Sequence, residues 1–92
     1  MNGAIIPADI TDSGTTNVSG VTWTRRGNVV VVSVYGPQGV SGQFANVTGL
    51  PTPYNAYVLV TTNDGYLQYD NGAWRLGYKT ANALYMSLTY TV

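Results

Sequence analysis

Hydrophobic and polar residues alternate along most of this 92-residue chain with the two-residue period of β-strands. Val21, Trp23 and Arg25 alternate with threonines, as expected for a strand whose two faces differ. The Gly27-Asn28 pair that follows is typical of a tight hairpin turn. A β-hairpin is therefore predicted early in the chain.

The strongest strand is predicted at Val29–Tyr35, directly after this turn. Both of its faces are substantially apolar, because valines occupy alternate positions and also several of the positions between them. A strand of a lone two-layer sandwich usually has one apolar face and one polar face. We therefore expect the second face, which carries Val29 and Val31, to be buried against a surface outside the sandwich.

Further strands are predicted along the rest of the chain. Asn63-Asp64-Gly65 and Asp70-Asn71-Gly72 are turn sequences that would connect two consecutive hairpins. Two prolines exclude the stretch 50–53 from a sheet interior. A loop is expected at 77–82, and the predicted strands are 43–48, 56–62, 66–69, 73–76 and 83–91, the last with Leu84, Met86, Leu88 and Tyr90 on one face.

Seven or eight short strands with regularly spaced turns and no helical pattern predict an all-β fold. The expected architecture is an antiparallel β-sandwich, either a jelly roll or a knob-like domain. Residues 1–16 are interpreted as an N-terminal lead-in or linker stub with room for one short edge strand. Residues 17–92 form the predicted β-sandwich head domain.

Charged residues make up only 9% of the chain, and four Asp balance four Lys and Arg. Nucleic acid is an unlikely partner, because binding a duplex requires clustered cations. No apolar run approaches the length of a membrane span, so membrane insertion is not expected. Near-zero net charge also removes one barrier to self-association.

Histidine, cysteine and glutamate are absent, which removes the usual catalytic pairs and most zinc ligand sets. We expect no enzyme activity, no cofactor and no metal site. Two alternatives use the turn residues: Asp64 and Asp70 as a glycosidase pair, or both together with Asn63 and Asn71 as calcium ligands. Ordinary turn chemistry explains these residues better.

Eight Tyr, two Trp and one Phe are many aromatic residues for a chain of this size. Trp23, Phe44 and Tyr90 are expected to fill the core. Trp74 lies just beyond a turn, close to other aromatic and polar residues, and a flat ring beside such groups suits a saccharide. The candidate saccharide-binding residues are Trp74, Tyr66, Tyr69, Asp70 and Arg75.

The segment from Trp23 to Val34 contains an aromatic residue, then basic residues, a Gly-Asn pair and a run of alternating valines. Together with Leu50-Pro51-Thr52-Pro53-Tyr54 and the Tyr-rich C-terminal strand, it resembles the C-terminal receptor-binding head domains of bacteriophage tail fibre and baseplate proteins. The resemblance extends from about Val21 to Val92, although no saccharide-binding residue can be matched position by position.

This resemblance implies a homotrimer that recognises a host by binding bacterial cell-surface polysaccharide. It implies a location at the tail tip of a virion, outside the cell, and an N-terminal stalk before residue 1. Trimerisation would also cover the second apolar face of the Val29–Tyr35 strand.

Two other functions remain open. A carbohydrate-binding module of a secreted bacterial enzyme would share the sandwich and the aromatic site but act as a monomer. A structural domain, such as a fibre cap or a capsid decoration, would bind no ligand.

Overall fold

A computed structural model describes residues 5–92, so the first four residues of the predicted lead-in lie outside the described part of the chain. The described residues form an all-β fold of eight strands without a helix, and hence without a helix able to cross a membrane. The strands are β1 (Thr11–Thr15), β2 (Val21–Arg26), β3 (Val29–Tyr35), β4 (Phe44–Val47), β5 (Tyr57–Thr61), β6 (Gly65–Asp70), β7 (Ala73–Tyr78) and β8 (Tyr85–Thr91).

The strands form two four-stranded antiparallel sheets that pack as a sandwich. Sheet I has the order β1-β2-β3-β8, and sheet II has the order β4-β7-β6-β5. The predicted hairpin turns connect β2 to β3, β5 to β6 and β6 to β7. In the last of these, Asn71 and Gly72 have φ angles of 53° and 78°, the signature of a type I′ turn. The predicted antiparallel β-sandwich is confirmed.

The core lies between the inner faces of the two sheets. In sheet I, Val30, Val32 and Val34 of β3 are buried, and in sheet II so are Leu67 and Leu76. Burial of this apolar surface is the main force that holds the sheets together. The inner positions predicted for the last strand are also confirmed, since Leu84, Leu88 and Tyr90 are buried and Met86 packs against the same cluster.

The N-terminal lead-in contributes the short edge strand β1, which pairs with β2 along its whole length. Before β1, the Ile6 N–H donates a hydrogen bond of 2.6 Å to Oδ1 of Asn28. The side-chain amide of Asn28 in turn donates to the carbonyl of Val92 at 2.8 Å. Asn28, a turn residue, thus links the beginning and the end of the described chain on one side of the sandwich.

Strand β7 runs to Tyr78, two residues beyond the predicted end at Leu76. The expectation that Gly77 begins a loop was wrong. Gly77 pairs with Tyr66 of β6, and a Cβ at position 77 would overlap the Tyr66 ring. Glycine is therefore accommodated inside this strand because a neighbouring aromatic ring covers it.

Of the three aromatic residues expected in the core, Phe44 is the exception. Its ring is 51% exposed, because the alternation of β4 points Ala45 and Val47 inward and Phe44 outward. Trp23 packs against the core with its ring across Gly14 of β1, as expected of a structural residue.

Tyr90 is a core residue whose hydroxyl also ties down a loop. It is 7% exposed, and its hydroxyl donates a hydrogen bond of 2.7 Å to the carbonyl of Pro51. Burial raises the pKa of the Tyr90 hydroxyl well above its usual value, because the charged phenolate would lose its hydration.

This pKa shift predicts a loss of stability in alkaline solution. Above about pH 10 an unfolded Tyr90 releases its proton while the folded one retains it, so unfolding becomes easier as pH rises. We expect the free energy of unfolding to fall by up to about 1.4 kcal/mol per pH unit above pH 10. Urea denaturation from pH 8 to 11.5 checks this, and a Tyr90→Phe variant with an equally steep decline would contradict it.

Candidate functional site

Strand alternation divides the five predicted saccharide-binding residues between the two faces of sheet II. In the pairing of β6 with β7, Tyr69 lies opposite Trp74, and both belong to the inner face. Tyr66, Asp70 and Arg75 occupy the alternate positions and belong to the outer face. The structure therefore does not bring the five residues together on one surface.

Trp74 is part of the aromatic packing between the sheets. It is only 5% exposed, and its ring centre lies 5.1 Å from that of Tyr69 and 5.2 Å from that of Tyr90. A ring packed in this way cannot serve as an open platform for the face of a sugar. Its contribution to packing is large, because buried tryptophan removes more apolar surface from water than most other side chains.

The outer face of sheet II carries a group of aromatic and polar side chains. Phe44 and Tyr57 are each 51% exposed. The half-buried Tyr66 ring lies over Gly77, which pairs with Phe44, whereas Tyr57 pairs with Asp70 at the other end of β6. We call this surface the sheet II outer face, and its residues are Phe44, Asn46, Tyr57, Leu59, Thr61, Tyr66, Gln68, Asp70, Ala73, Arg75 and Gly77.

Polar groups on the sheet II outer face are held by their neighbours. The Gln68 side-chain amide donates a hydrogen bond of 3.2 Å to the Tyr57 hydroxyl. The Arg75 guanidinium carbon lies 5.2 Å from the centre of the Phe44 ring, within the range of a cation–π contact. Gln68 and Arg75 are themselves paired across β6 and β7. Fixed donors and acceptors thus lie beside exposed rings.

A shallow depression of about 230 Å³ lies at the β5–β6 side of the sheet II outer face. Tyr66 and Gln68 line it together with Leu59 and Thr61. Lys79 completes the lining, and its ammonium donates a hydrogen bond of 2.9 Å to the Thr62 carbonyl. The depression therefore combines apolar walls with amide, hydroxyl and ammonium groups.

The two aspartates considered as a catalytic pair are far apart. Asp64 precedes β6 and Asp70 ends it, so about 20 Å of strand separates them at about 3.3 Å per residue. A glycosidase pair requires a separation of roughly 5 to 9.5 Å. The same distance prevents the two turns from forming one calcium site, and both alternatives based on these aspartates are wrong.

Asp64 instead has a structural role in its turn. Its Oδ1 accepts hydrogen bonds from the Thr80 hydroxyl at 2.8 Å and from the Asn82 side-chain amide at 3.2 Å. These contacts attach the β5–β6 turn to the loop before β8. Across residues 5–92 there is no group of three or more acidic, His or Cys residues that could hold a metal ion.

The outer face of sheet I is the second notable surface. Val29 and Val31 are 43% and 40% exposed, so their own chain leaves them partly uncovered. They line a depression of about 730 Å³ together with Thr24, Arg26 and other residues of β1 and β2. The second apolar face predicted for β3 is present, and both hydroxyl-bearing and charged residues lie around it: Thr11, Asp12, Ser13, Thr24, Arg25 and Arg26.

Phe44, Tyr57 and Gln68 belong to the sheet II outer face but were not among the predicted site residues. The signal that identifies them is alternation within each strand combined with the pairing register, which places them on the same side as Tyr66 and Arg75.

Comparison with known proteins gives no relative for this chain: no family model, no curated protein and no solved structure matches it.

Proposed function

We propose that this domain is a non-catalytic host-recognition head that binds bacterial surface polysaccharide and acts as a homotrimer, like the receptor-binding heads of phage tail fibres that its sequence resembles. The observation that carries this proposal is the sheet II outer face, where exposed aromatic rings lie beside fixed amide and guanidinium groups.

The chemistry of this face suits a sugar chain. Aromatic rings such as Phe44 and Tyr57 cover the C–H face of a sugar, while neighbouring donors and acceptors bind its hydroxyls. The Arg75 guanidinium lies over the Phe44 ring, and its N–H groups are hydrogen-bond donors of the kind that bind sugar hydroxyls.

The outer face of sheet I supports self-association. Val29 and Val31 are partly exposed on this face, where they lie beside Thr11, Ser13 and Thr24 and also beside Asp12, Arg25 and Arg26. Burial of the two valines against another copy favours the contact. Sheet I would then face the three-fold axis and sheet II would face outward.

Such an arrangement would compensate for weak individual sites. A single shallow saccharide site with millimolar affinity corresponds to about 4 kcal/mol. Three sites on one trimer that bind the same cell surface raise the apparent affinity by roughly 10².

The test is binding of the intact protein to a glycan array and to cell-wall polysaccharide fragments from a panel of bacteria. We expect Tyr57→Ala and Phe44→Ala each to weaken polysaccharide binding about tenfold, since each removes one stacking ring. The matched control is Tyr54→Ala, because Tyr54 is 57% exposed but lies in the loop before β5. Equal losses in Tyr54→Ala and Tyr57→Ala, or no binding by the parent protein, would refute the site.

A further inference from the structure

A cleft of about 290 Å³ opens at one end of the sandwich, between residues 46–52 and the β6–β7 hairpin. Trp74 and Tyr69 of the core line it together with Asn46, Thr48 and Thr52. Its volume lies near the lower end of the range for small-molecule sites, which begins at about 300 Å³. It is separate from the depression beside Tyr66 and Gln68.

The indole nitrogen of Trp74 has no partner. Nε1 is buried and makes no hydrogen bond to any of the described residues. A buried donor without an acceptor is unfavourable, so such groups in folded proteins usually have a reason. Because Trp74 is one of the residues that line the cleft, an acceptor atom that reaches Nε1 from the cleft would supply the missing hydrogen bond.

The part of the lining formed by residues 46–52 is fixed by hydrogen bonds from other parts of the chain. The Asn17 side chain accepts from the Thr48 N–H at 2.7 Å and donates to the Asn46 carbonyl at 2.9 Å. The Tyr90 hydroxyl holds the Pro51 carbonyl. A cleft whose walls are already in place binds a ligand without a large cost in ordering them.

The lining specifies the chemistry of the ligand. Every residue that lines the cleft is uncharged, and its polar members supply amide and hydroxyl groups. A neutral, hydroxyl-rich ligand fits these groups, whereas an ionic ligand would find no counter-charge. Asn46 lies opposite Arg75 in the β4–β7 pairing, so the cleft is continuous with the sheet II outer face.

We propose that this cleft binds one neutral sugar unit at the end of the polysaccharide that lies on the sheet II outer face, with an oxygen of that unit accepting a hydrogen bond from Trp74 Nε1. This inference rests on the proposed saccharide-binding function and adds a specificity pocket for a chain end.

The test uses the intact protein with ¹⁵N-labelled tryptophan, whose two indole N–H groups give two NMR cross-peaks. Glucose, galactose, rhamnose and N-acetylglucosamine are titrated separately into the millimolar range. We expect at least one of them to move the Trp74 cross-peak saturably while the Trp23 cross-peak stays in place. Trp23 is an internal control, because its Nε1 is also buried without a partner but does not line this cleft.

Two matched variants test whether the Trp74 indole N–H group takes part in sugar binding. Trp74→Phe keeps an aromatic ring but removes the N–H donor, and we expect it to weaken binding of the active sugar at least fivefold, as followed by the amide resonances of Thr48 and Thr52. Trp23→Phe removes the equivalent donor elsewhere and is expected to bind like the parent. Thermal unfolding of both variants verifies that they fold.

The outcomes separate this inference from the proposed function. If polysaccharide binding depends on Tyr57 but none of the four sugars moves the Trp74 cross-peak, the cleft proposal fails and the proposed function stands. A Trp74 indole N–H that instead shows a persistent contact to a resident water, unchanged by sugar, also overturns the cleft proposal. If neither polysaccharide nor sugar binds, both proposals fail.

Discussion

Replacing Trp74 by alanine lowers the free energy of unfolding by about 3–5 kcal/mol. The ring is 95% buried between Tyr69 and Tyr90, so its removal leaves a large cavity between the two sheets. Domains of this size are commonly stable by only about 5–15 kcal/mol. The variant is therefore expected to be close to unfolding at physiological temperature.

Chemical denaturation monitored by circular dichroism measures this loss. Tyr57→Ala is the matched comparison, because it removes an aromatic ring of the same sheet that is half exposed, and we expect it to cost less than about 1 kcal/mol. A Trp74→Ala protein as stable as Tyr57→Ala would show that Trp74 is not a core residue. The same expectation explains why Trp74→Phe, rather than Trp74→Ala, is the informative variant for ligand binding.

We expect replacement of Val31 by glutamate to convert the proposed trimer to a monomer and to lower the apparent affinity for polysaccharide by roughly 10². Val31 lies at the centre of the sheet I outer face, where the proposed assembly would bury it. A carboxylate there would have to lose its hydration, and three copies would repel one another around the axis. The affinity of each single site is expected to stay the same.

Sedimentation velocity and binding to polysaccharide-coated beads measure the two effects. Val40→Glu is the matched control, because Val40 is 69% exposed in the loop between β3 and β4. We expect this control to remain trimeric and to bind with full avidity. A parent protein that is monomeric at high concentration, or a Val31→Glu variant that stays trimeric, would refute the proposed assembly.

The strands could be predicted from the sequence because alternation and turn chemistry agree along most of the chain. Val29–Tyr35 was predicted with the bounds that the structure shows, since it is rich in β-branched residues and follows a glycine turn. The end of β7 was missed, because a glycine inside a strand looks like a loop unless the ring that covers it is known.

The candidate site was harder to predict, because residues that are adjacent in a strand lie on opposite faces of the sheet. Trp74 and Arg75 are consecutive and therefore point to opposite faces of sheet II. Phe44 was missed for a related reason: β4 has only four residues, too few to show which of them faces the core. Once the register is known, alternation alone places Phe44, Tyr57 and Gln68 on the same face as Arg75.

The most direct test of saccharide recognition by this domain is a map of backbone amide chemical shifts during titration of the intact protein with cell-wall polysaccharide fragments. We expect the shifts to concentrate in β5, β6 and β7, at Tyr57, Tyr66, Gln68 and Arg75, and to leave the centre of β3 unchanged. Shifts centred on Val29 and Val31 instead, or the absence of shifts with every fragment, would contradict saccharide recognition by the outer face of sheet II.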